Sequence, residues 1–175
     1  MSVAGRRFGL FAGLAVGVAV VDQFTKLWVD AAFQLAWTRA PAPGLADPTP
    51  VLGDVVRIAK SYNDGGLFGL FDASAPVLAA ASLVVIGLLV YAQARSGASA
   101  PLVTTVALGL LLGGAVGNLA DRIRLGFVVD FVDMGMGDVR WFAFNVADAA
   151  LSVAILALLL TAFWPRRAPA GGGDR

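Results

Sequence analysis

Long apolar runs without a charged residue constrain this chain more than any other feature. Three such runs cover residues 76–91, 101–117 and 149–164, and a fourth, Phe8–Val21, continues to Trp28 with two charges. About 20 apolar residues cross the hydrocarbon core of a bilayer as an α-helix. The chain is 58% hydrophobic with only 14% charged residues. We therefore predict an all-α integral membrane protein with four transmembrane helices, approximately at residues 8–29, 75–94, 101–121 and 146–164.

The segments outside the spans predict a single domain with a small extracytoplasmic β-containing segment. We place this domain at residues 1–165, followed by a disordered cytoplasmic tail at 166–175 with three consecutive glycines. A Pro-rich loop at 40–50 precedes residues 51–62, whose β-branched side chains and partial alternation predict a short strand. Asn63-Asp64-Gly65-Gly66 then predicts a turn.

Basic residues predict the orientation of the spans. The Arg6–Arg7 pair, Arg95 and the Arg166–Arg167 pair lie in three short segments with almost no acidic residue. Cytoplasmic loops of membrane proteins carry an excess of Lys and Arg. We therefore predict that both termini and the Arg95 loop are cytoplasmic, and that two longer segments, at roughly 30–73 and 123–144, face outward.

The absence of three residue types limits the catalytic and metal-binding chemistry that this chain can support. The sequence contains no Cys, no His and no Glu, so all 12 acidic residues are Asp. Thiol nucleophiles, Ser-His-Asp catalysis and the commonest metal ligand are excluded. We predict no metal and no cofactor, and the net charge of +1 gives no indication of a nucleic-acid partner. Acid–base chemistry would depend on aspartates.

Polar residues from three spans fall at one depth. A helix rises about 1.5 Å per residue, which places Asp22 roughly 21 Å, Asn118 roughly 25 Å and Asp148 roughly 24 Å from the cytoplasmic edge. Charged groups inside a bilayer are costly and commonly mark functional sites. We call the set predicted at this level the polar layer; it comprises Asp22, Lys26, Asn118, Asp121, Arg122 and Asp148.

Parts of the polar layer also have a purely structural interpretation. Asp22 and Lys26 are spaced as an ordinary helix ion pair. Asn145 and Asp148 suit the N-cap and first turn of the fourth span.

Asp121 lies at the end of the third span, where a carboxylate opposes the helix dipole. We expect it to have a cationic partner, with Arg122 and Arg124 as candidates.

The outer segments add further candidates. Asp130 lies among apolar residues, where desolvation would raise its pKa, but Asp133 and Asp138 are close rivals. These residue patterns alone do not choose among the three. Asn63 can be a simple turn residue or can supply an amide that orients a substrate backbone.

Two converging carboxylates that share a proton can hydrolyse a peptide bond without metal or covalent intermediate. A Ser–Lys dyad using Lys26 or Lys60 is a formal alternative.

Two other classes of membrane protein also contain polar residues within their spans. One is a small proton-coupled transporter, which would spread them over the full membrane depth. The other is a non-enzymatic assembly factor, whose helices would pack through Gly113, Gly114 and Gly117.

Five short motifs follow one another along most of the chain. They are Asp22-x-x-Thr25-Lys26, Asn63-x-Gly65-Gly66-Leu67-Phe68, Gly117-Asn118-x-x-Asp121-Arg122, Val129-Asp130-Phe131 and Phe144-Asn145-x-Ala147-Asp148. In this order they resemble the motifs of the lipoprotein signal peptidase (signal peptidase II) family. One departure from the family pattern is Leu67, between the second-motif glycine and the aromatic residue, and another is a longer Pro-rich stretch.

The resemblance implies an aspartic endopeptidase in which Asp130 and Asp148 form the catalytic dyad. It implies a prolipoprotein substrate with a diacylglyceryl-cysteine, cut just before that Cys. We expect a monomer in contact with membrane lipids, in a bacterial inner membrane, with its site near the outer face. The residues implied to bind substrate or support the site are Asp22, Lys26, Asn63, Gly65, Asn118, Asp121, Arg122 and Asn145.

Overall fold

The computed structural model describes residues 2–37, 44–65, 75–96 and 99–163. Within these ranges, four helices are long and apolar enough to cross a membrane. The predicted number and order of spans are thus confirmed. The tail at 166–175 and the second-motif residues Gly66, Leu67 and Phe68 lie outside the described residues, as do residues 40–43 of the Pro-rich stretch. The helices are α1 (Val3–Ala32), α2 (Ala75–Ser96), α3 (Leu102–Leu125) and α4 (Val146–Phe163).

A small antiparallel sheet lies at the end of the bundle where α1 and α3 end and α2 and α4 begin. One strand was expected at 51–62, but two form there, because Gly53, with φ of +53°, begins a tight turn closed by the Val55 N–H to Leu52 O bond of 3.1 Å. Residue spacing alone does not reveal this turn. The strands are paired in the order β1 (Thr49–Leu52), β2 (Val56–Asn63), β3 (Val128–Met136) and β4 (Val139–Arg140).

Helix α3 lies at the centre of the bundle and contacts each of the other three helices. Its glycines allow backbones to approach closely, as small residues do between membrane helices. A Cβ built on Gly113 would lie 2.7 Å from the carbonyl oxygen of Ala15 in α1, and one on Gly114 would lie 2.6 Å from that of Ala147 in α4. The glycine cluster therefore sets the spacing of α1, α3 and α4.

The two halves of the bundle differ in character. Near the start of α1, Phe11 and Ala15 pack against Leu108 and Leu112 of α3 in a hydrophobic cluster. Toward the sheet, the same helices bury charged and amide side chains instead. Helices α2 and α4 expose many large apolar side chains, as expected for helices that face lipid.

Backbone hydrogen bonds fix the sheet to the bundle. Phe144, just before α4, accepts from the N–H of Val132 at 2.8 Å and donates to its carbonyl at 3.1 Å. Strand β2 pairs with β3 so that Ser61 is opposite Asp130 and Asn63 is opposite Val128. Because β3 is thus bonded on one side to β2 and on the other to the start of α4, Asn63, Asp130 and the first turn of α4 come together.

Candidate active site

The ammonium of Lys26 is the centre of the polar layer. Its Nζ lies 2.8 Å from Asp22 Oδ2, 3.1 Å from Asp121 Oδ2 and 2.8 Å from Asn118 Oδ1. A lysine ammonium has three donors, and all three have an acceptor here. The predicted helix ion pair between Asp22 and Lys26 exists, but the same ammonium also joins α1 to α3. Lys26, Asp22 and Asp121 are almost fully buried.

The carboxylates of Asp22 and Asp121, which pair with Lys26, each also accept a hydrogen bond from a backbone N–H. In both cases the donor is the residue just before another aspartate. Asp22 Oδ1 accepts from the N–H of Ala147 at 2.9 Å, in the first turn of α4 and next to Asp148. Asp121 Oδ2 accepts from the N–H of Val129 at 3.2 Å, next to Asp130. One buried cation therefore positions, through two carboxylates, the backbone that carries both Asp130 and Asp148.

Lys26 also determines how the Asn118 amide is turned. An ammonium can only donate, so the Asn118 atom that faces it is the carbonyl Oδ1. The Nδ2 of the same amide then faces Asp148 and donates to its Oδ1 at 2.8 Å. Asp148 and Asn145 form a reciprocal cap, since the Asp148 N–H donates to Asn145 Oδ1 at 2.9 Å and Asp148 Oδ2 accepts from the Asn145 N–H at 3.3 Å. The structural interpretation of this pair as a helix cap is therefore correct, and the cap lies within the site.

Two amides hold Asp130. The Nδ2 of Asn145 donates to Asp130 Oδ1 at 2.7 Å, and the Nδ2 of Asn63 donates to Asp130 Oδ2 at 3.0 Å. Asn63 Oδ1 accepts in turn from the N–H of Gly65 at 3.3 Å, which keeps the amide in this orientation. Asn145 therefore bonds both aspartates, Asp148 through its cap and Asp130 through its amide.

The three loop aspartates that residue patterns left open have different surroundings. Burial and the negative charge of Asp148 raise the pKa of Asp130 to about 7, against the effect of its hydrogen bonds from Asn63 and Asn145. Asp133 is also buried, but hydrogen bonds from Arg140 and Arg57 outweigh burial, so its pKa is lowered. Asp138 is exposed in the turn between β3 and β4. Of the three, Asp130 is the one held among amides next to Asp148.

Arg122 lies at the edge of this cluster. Its Nη1 donates to the carbonyl of Asn118 in its own helix at 3.4 Å, and Asp121 pairs with Lys26 and Arg124 instead. Arg122 also lines a largely apolar cavity of about 730 Å³ between α2 and the end of α3. The other residues that line this cavity are Asp64, Ala75, Pro76, Ala79, Ala80, Leu83, Ile123 and Gly126.

Sequence reasoning missed Gln23. Its Nε2 lies 2.9 Å from Asp121 Oδ1, 3.0 Å from the carbonyl of Gly117 and 3.3 Å from Asp22 Oδ2, so it joins α1 to α3 beside Lys26. A polar residue directly after Asp22 in an apolar helix was the available signal. In the described ranges, no group of three or more Asp residues is arranged to hold a metal ion.

Comparison with known proteins identifies relatives over most of the chain. The family profile described as Signal peptidase (SPase) II matches residues 14–164. The lipoprotein signal peptidase of Syntrophus aciditrophicus is 37% identical over 159 residues, covering 87% of this chain and 89% of that protein. That of Methylorubrum extorquens is 39% identical over 168 residues, covering 93% and 90%.

The fold is shared with solved structures. A bacterial membrane enzyme solved by the in meso method at 2.3 Å resolution superposes with a TM-score of 0.75 at 25% identity, over 88% of this chain and 87% of that one. A second, at 1.9 Å resolution, gives 0.74 over 89% and 93%. Four apolar spans, the shared fold and the profile match over most of the chain agree, and we conclude that this multi-pass membrane protein belongs to the signal peptidase II family.

Proposed function

We propose that this chain is a membrane-embedded aspartic endopeptidase with Asp130 and Asp148 as its catalytic dyad. Membership of a signal peptidase family supports proteolysis. The observation that supports the aspartic type is the common amide cluster, in which Asn145 bonds both carboxylates and burial raises the pKa of Asp130 to about 7. A carboxyl with this pKa can hold or release a proton at neutral pH.

Asp130 is the proton donor and Asp148 the base in this proposal. Asp148 takes a proton from a water molecule, whose oxygen bonds to the carbonyl carbon of the scissile peptide. Asp130 donates its proton to the carbonyl oxygen, which gives a tetrahedral diol. The C–N bond then breaks as the leaving nitrogen takes the proton from Asp148, and a diol hydroxyl returns one to Asp130. Water and peptide become acid and amine, and both carboxyls regain their starting states.

The surrounding residues position these two groups. Asn63 and Asn145 hold Asp130 by neutral N–H donors, which fix the carboxyl without adding a cation. Asn118 holds Asp148, and Lys26 orients Asn118. These contacts support a positioning role for Lys26 and a direct role for the asparagines at the dyad.

The proposed substrate is a prolipoprotein with a diacylglyceryl-cysteine, cut just before that Cys. The curated relatives are named lipoprotein signal peptidases, which supports this class of substrate. The apolar cavity beside Arg122, between α2 and α3, is a suitable place for an apolar part of such a substrate to enter from the bilayer. We propose that the enzyme acts as a monomer among membrane lipids, with both termini cytoplasmic and the sheet at the outer face. Arg6, Arg7 and Arg95 at the opposite end of the bundle support this orientation.

Cleavage of a diacylglyceryl-modified prolipoprotein by purified protein in detergent tests the dyad. We expect Asp130→Asn and Asp148→Asn each to lose at least about 100-fold in rate, the lower end for removal of a general acid or base. Asp133→Asn, three positions along the same strand, is the matched control and should cut normally. Thermal unfolding of each variant checks that it is folded. Normal cleavage by both Asn variants would show that the catalytic pair lies elsewhere.

A further inference from the structure

The far end of the sheet carries an apolar surface that the peptidase chemistry does not use. Its large apolar side chains are 40–81% exposed and line one open groove of about 800 Å³ together with Gly135, Arg140 and Phe144. Exposed apolar patches of this kind mark contacts with a protein or a membrane. We call it the apolar tip; it consists of Val55, Met134, Met136, Val139 and Trp141.

Four charged groups beside this groove are paired with one another. Asp133 Oδ2 lies 2.6 Å from Arg57 Nη2 and 2.9 Å from Arg140 Nη2. Asp54 pairs with the same two arginines at 3.1 and 3.4 Å. These two Asp and two Arg carry no net charge, and Asp138, exposed in the turn between β3 and β4, does not line the groove. An apolar medium could therefore cover the groove without removing an unpaired charge from water.

The chain itself limits how far the apolar tip can lie from the bilayer. Trp141 is five residues before Val146, the first residue of α4, which allows at most about 18 Å even if that segment were fully extended. The segment is shorter in practice, because Phe144 is bonded to β3. Helix α4 in turn exposes apolar side chains such as Leu156 and Leu160 along its length. The apolar tip thus lies near the end of a span whose exposed surface is apolar.

We propose that the apolar tip is a membrane-contact surface that enters the boundary between headgroups and acyl chains, in the leaflet on the side of the sheet. The occupant of the groove is lipid. Trp at the membrane–water boundary is a general feature of membrane proteins, and Trp141 is 70% exposed here. This contact fixes the height of β3, and therefore of Asp130, relative to the bilayer. The proposal does not depend on the identity of the catalytic pair.

The natural absence of Cys makes a direct test possible, since a single spin label can be attached without background. We would label Val139→Cys and Met136→Cys in liposomes of phosphatidylcholine and phosphatidylglycerol, and compare collision with oxygen and with a water-soluble nickel chelate. Leu156→Cys, exposed on α4, is the lipid control, and Asp47→Cys, exposed in the outer loop, is the water control. We expect the oxygen-to-nickel ratio at both tip positions to be several-fold above that at Asp47→Cys.

Other results would overturn the proposal. Ratios at the tip equal to that at Asp47→Cys would place the groove in water. Protection that arises only after a prolipoprotein is added would assign the groove to substrate. Spin–spin broadening that falls on dilution with unlabelled protein would assign it to a second copy. Quenching of Trp141 by brominated lipid, taken as the difference between wild type and Trp141→Phe, gives a second readout without any label, and its absence would also count against lipid contact.

Discussion

Asp130 and Asp133 lie on one strand and are both buried, yet their partners are of opposite kinds. Asp130 receives N–H bonds from the neutral amides of Asn63 and Asn145. Asp133 is bonded by the guanidinium groups of Arg57 and Arg140. The pKa of Asp130 is raised to about 7 and that of Asp133 is lowered.

The difference shows how one sheet can shift the pKa values of two carboxyl groups in opposite directions. A neutral amide orients a carboxyl but contributes little against the cost of burying its charge, so burial and a nearby carboxylate dominate and favour the protonated form. Two arginines supply enough positive charge to keep the carboxylate ionised. The donors around a buried Asp therefore act together with burial and nearby charge to set its pKa.

The largest expected effect comes from removing the one lysine of the polar layer. Lys26→Met leaves Asp22 and Asp121 buried without their shared cation, and breaking a buried ion pair costs about 3–5 kcal/mol. We expect a fall in Tm of roughly 6–20 °C, measured by tryptophan fluorescence in detergent. Adding Asp22→Asn and Asp121→Asn to Lys26→Met should recover part of the loss.

Arg124→Met is the matched control for Lys26→Met. Arg124 also pairs with Asp121, at 3.4 Å, but its side chain is 44% exposed. Exposed ion pairs contribute about 0–1 kcal/mol, so Arg124→Met should change Tm little. Equal shifts for the two variants would contradict the central role of the Lys26 ammonium.

The second prediction concerns a variant in which Asp130, like Asp133, has a cationic neighbour. In the wild type, Asp130 loses its proton as the pH rises through about 7, so the rate should fall about tenfold per pH unit above that value. Asn63→Lys places a cation next to Asp130, and a nearby opposite charge lowers a carboxyl pKa by about 1–3 units. Asp130 is half protonated at pH 7 in the wild type, so cleavage at that pH should fall by about 5- to 500-fold and recover as the pH is lowered.

The pH profile of kcat/KM from below 5 to 9 measures this shift. Asn63→Gln keeps a neutral amide and is the control, and its basic limb should stay near the wild-type position. A basic limb that does not move in a folded Asn63→Lys variant would mean that the proton on Asp130 is not required.

The smallest effect is expected from Asp133→Asn, which should affect stability and leave the chemistry intact. Charged hydrogen bonds are lost, but Asp54 remains as partner for both arginines, so we expect a loss of about 1–3 kcal/mol in the free energy of unfolding. The pKa of Asp133 is below its ordinary value of 3.8, so the stabilisation is present above about pH 4 and is lost as the pH falls further. Denaturation of wild type and Asp133→Asn at pH 7 and pH 3 measures this effect. The difference in their free energies of unfolding should be smaller at pH 3. An equal difference at both values would contradict the ion-pair explanation.

Hydropathy and helix rise are sufficient to predict much of the molecule. The four spans follow from charge-free runs, and helix rise alone predicts that Asp22, Asn118 and Asp148 lie at one depth. The hydrogen bonds among Lys26, Asn118 and Asp148 agree with that common depth. Local sequence could not separate Asp130 from Asp133. The two residues differ through partners brought in by the pairing of β2 with β3 and by the packing of the first turn of α4.

Other features depend on contacts that no local pattern reveals. The three-way bonding of Lys26 requires the packing of α1 on α3, so its sequence signal is that of an ordinary helix pair. The link from Asp22 to the N–H of Ala147 joins residues 125 positions apart. The role of Gln23 arises only when Asp121 and the carbonyl of Gly117 are brought to it.

The helix ion pair in α1 bears on how the chain enters the bilayer during synthesis. Asp22 and Lys26 lie in one helix with their charged atoms 2.8 Å apart, so each has a counterion before α3 or α4 is made. A lone Asp or Lys at a helix centre costs about 2.5–3.5 kcal/mol on insertion scales. The pair allows the first span to insert in nearly neutral form. The later spans then bond to these two groups of α1. Asp121 and Asn118 of α3 bond to Lys26, and the N–H of Ala147 in α4 bonds to Asp22. Helix α4, the last of the four described spans to be made, therefore completes the candidate site.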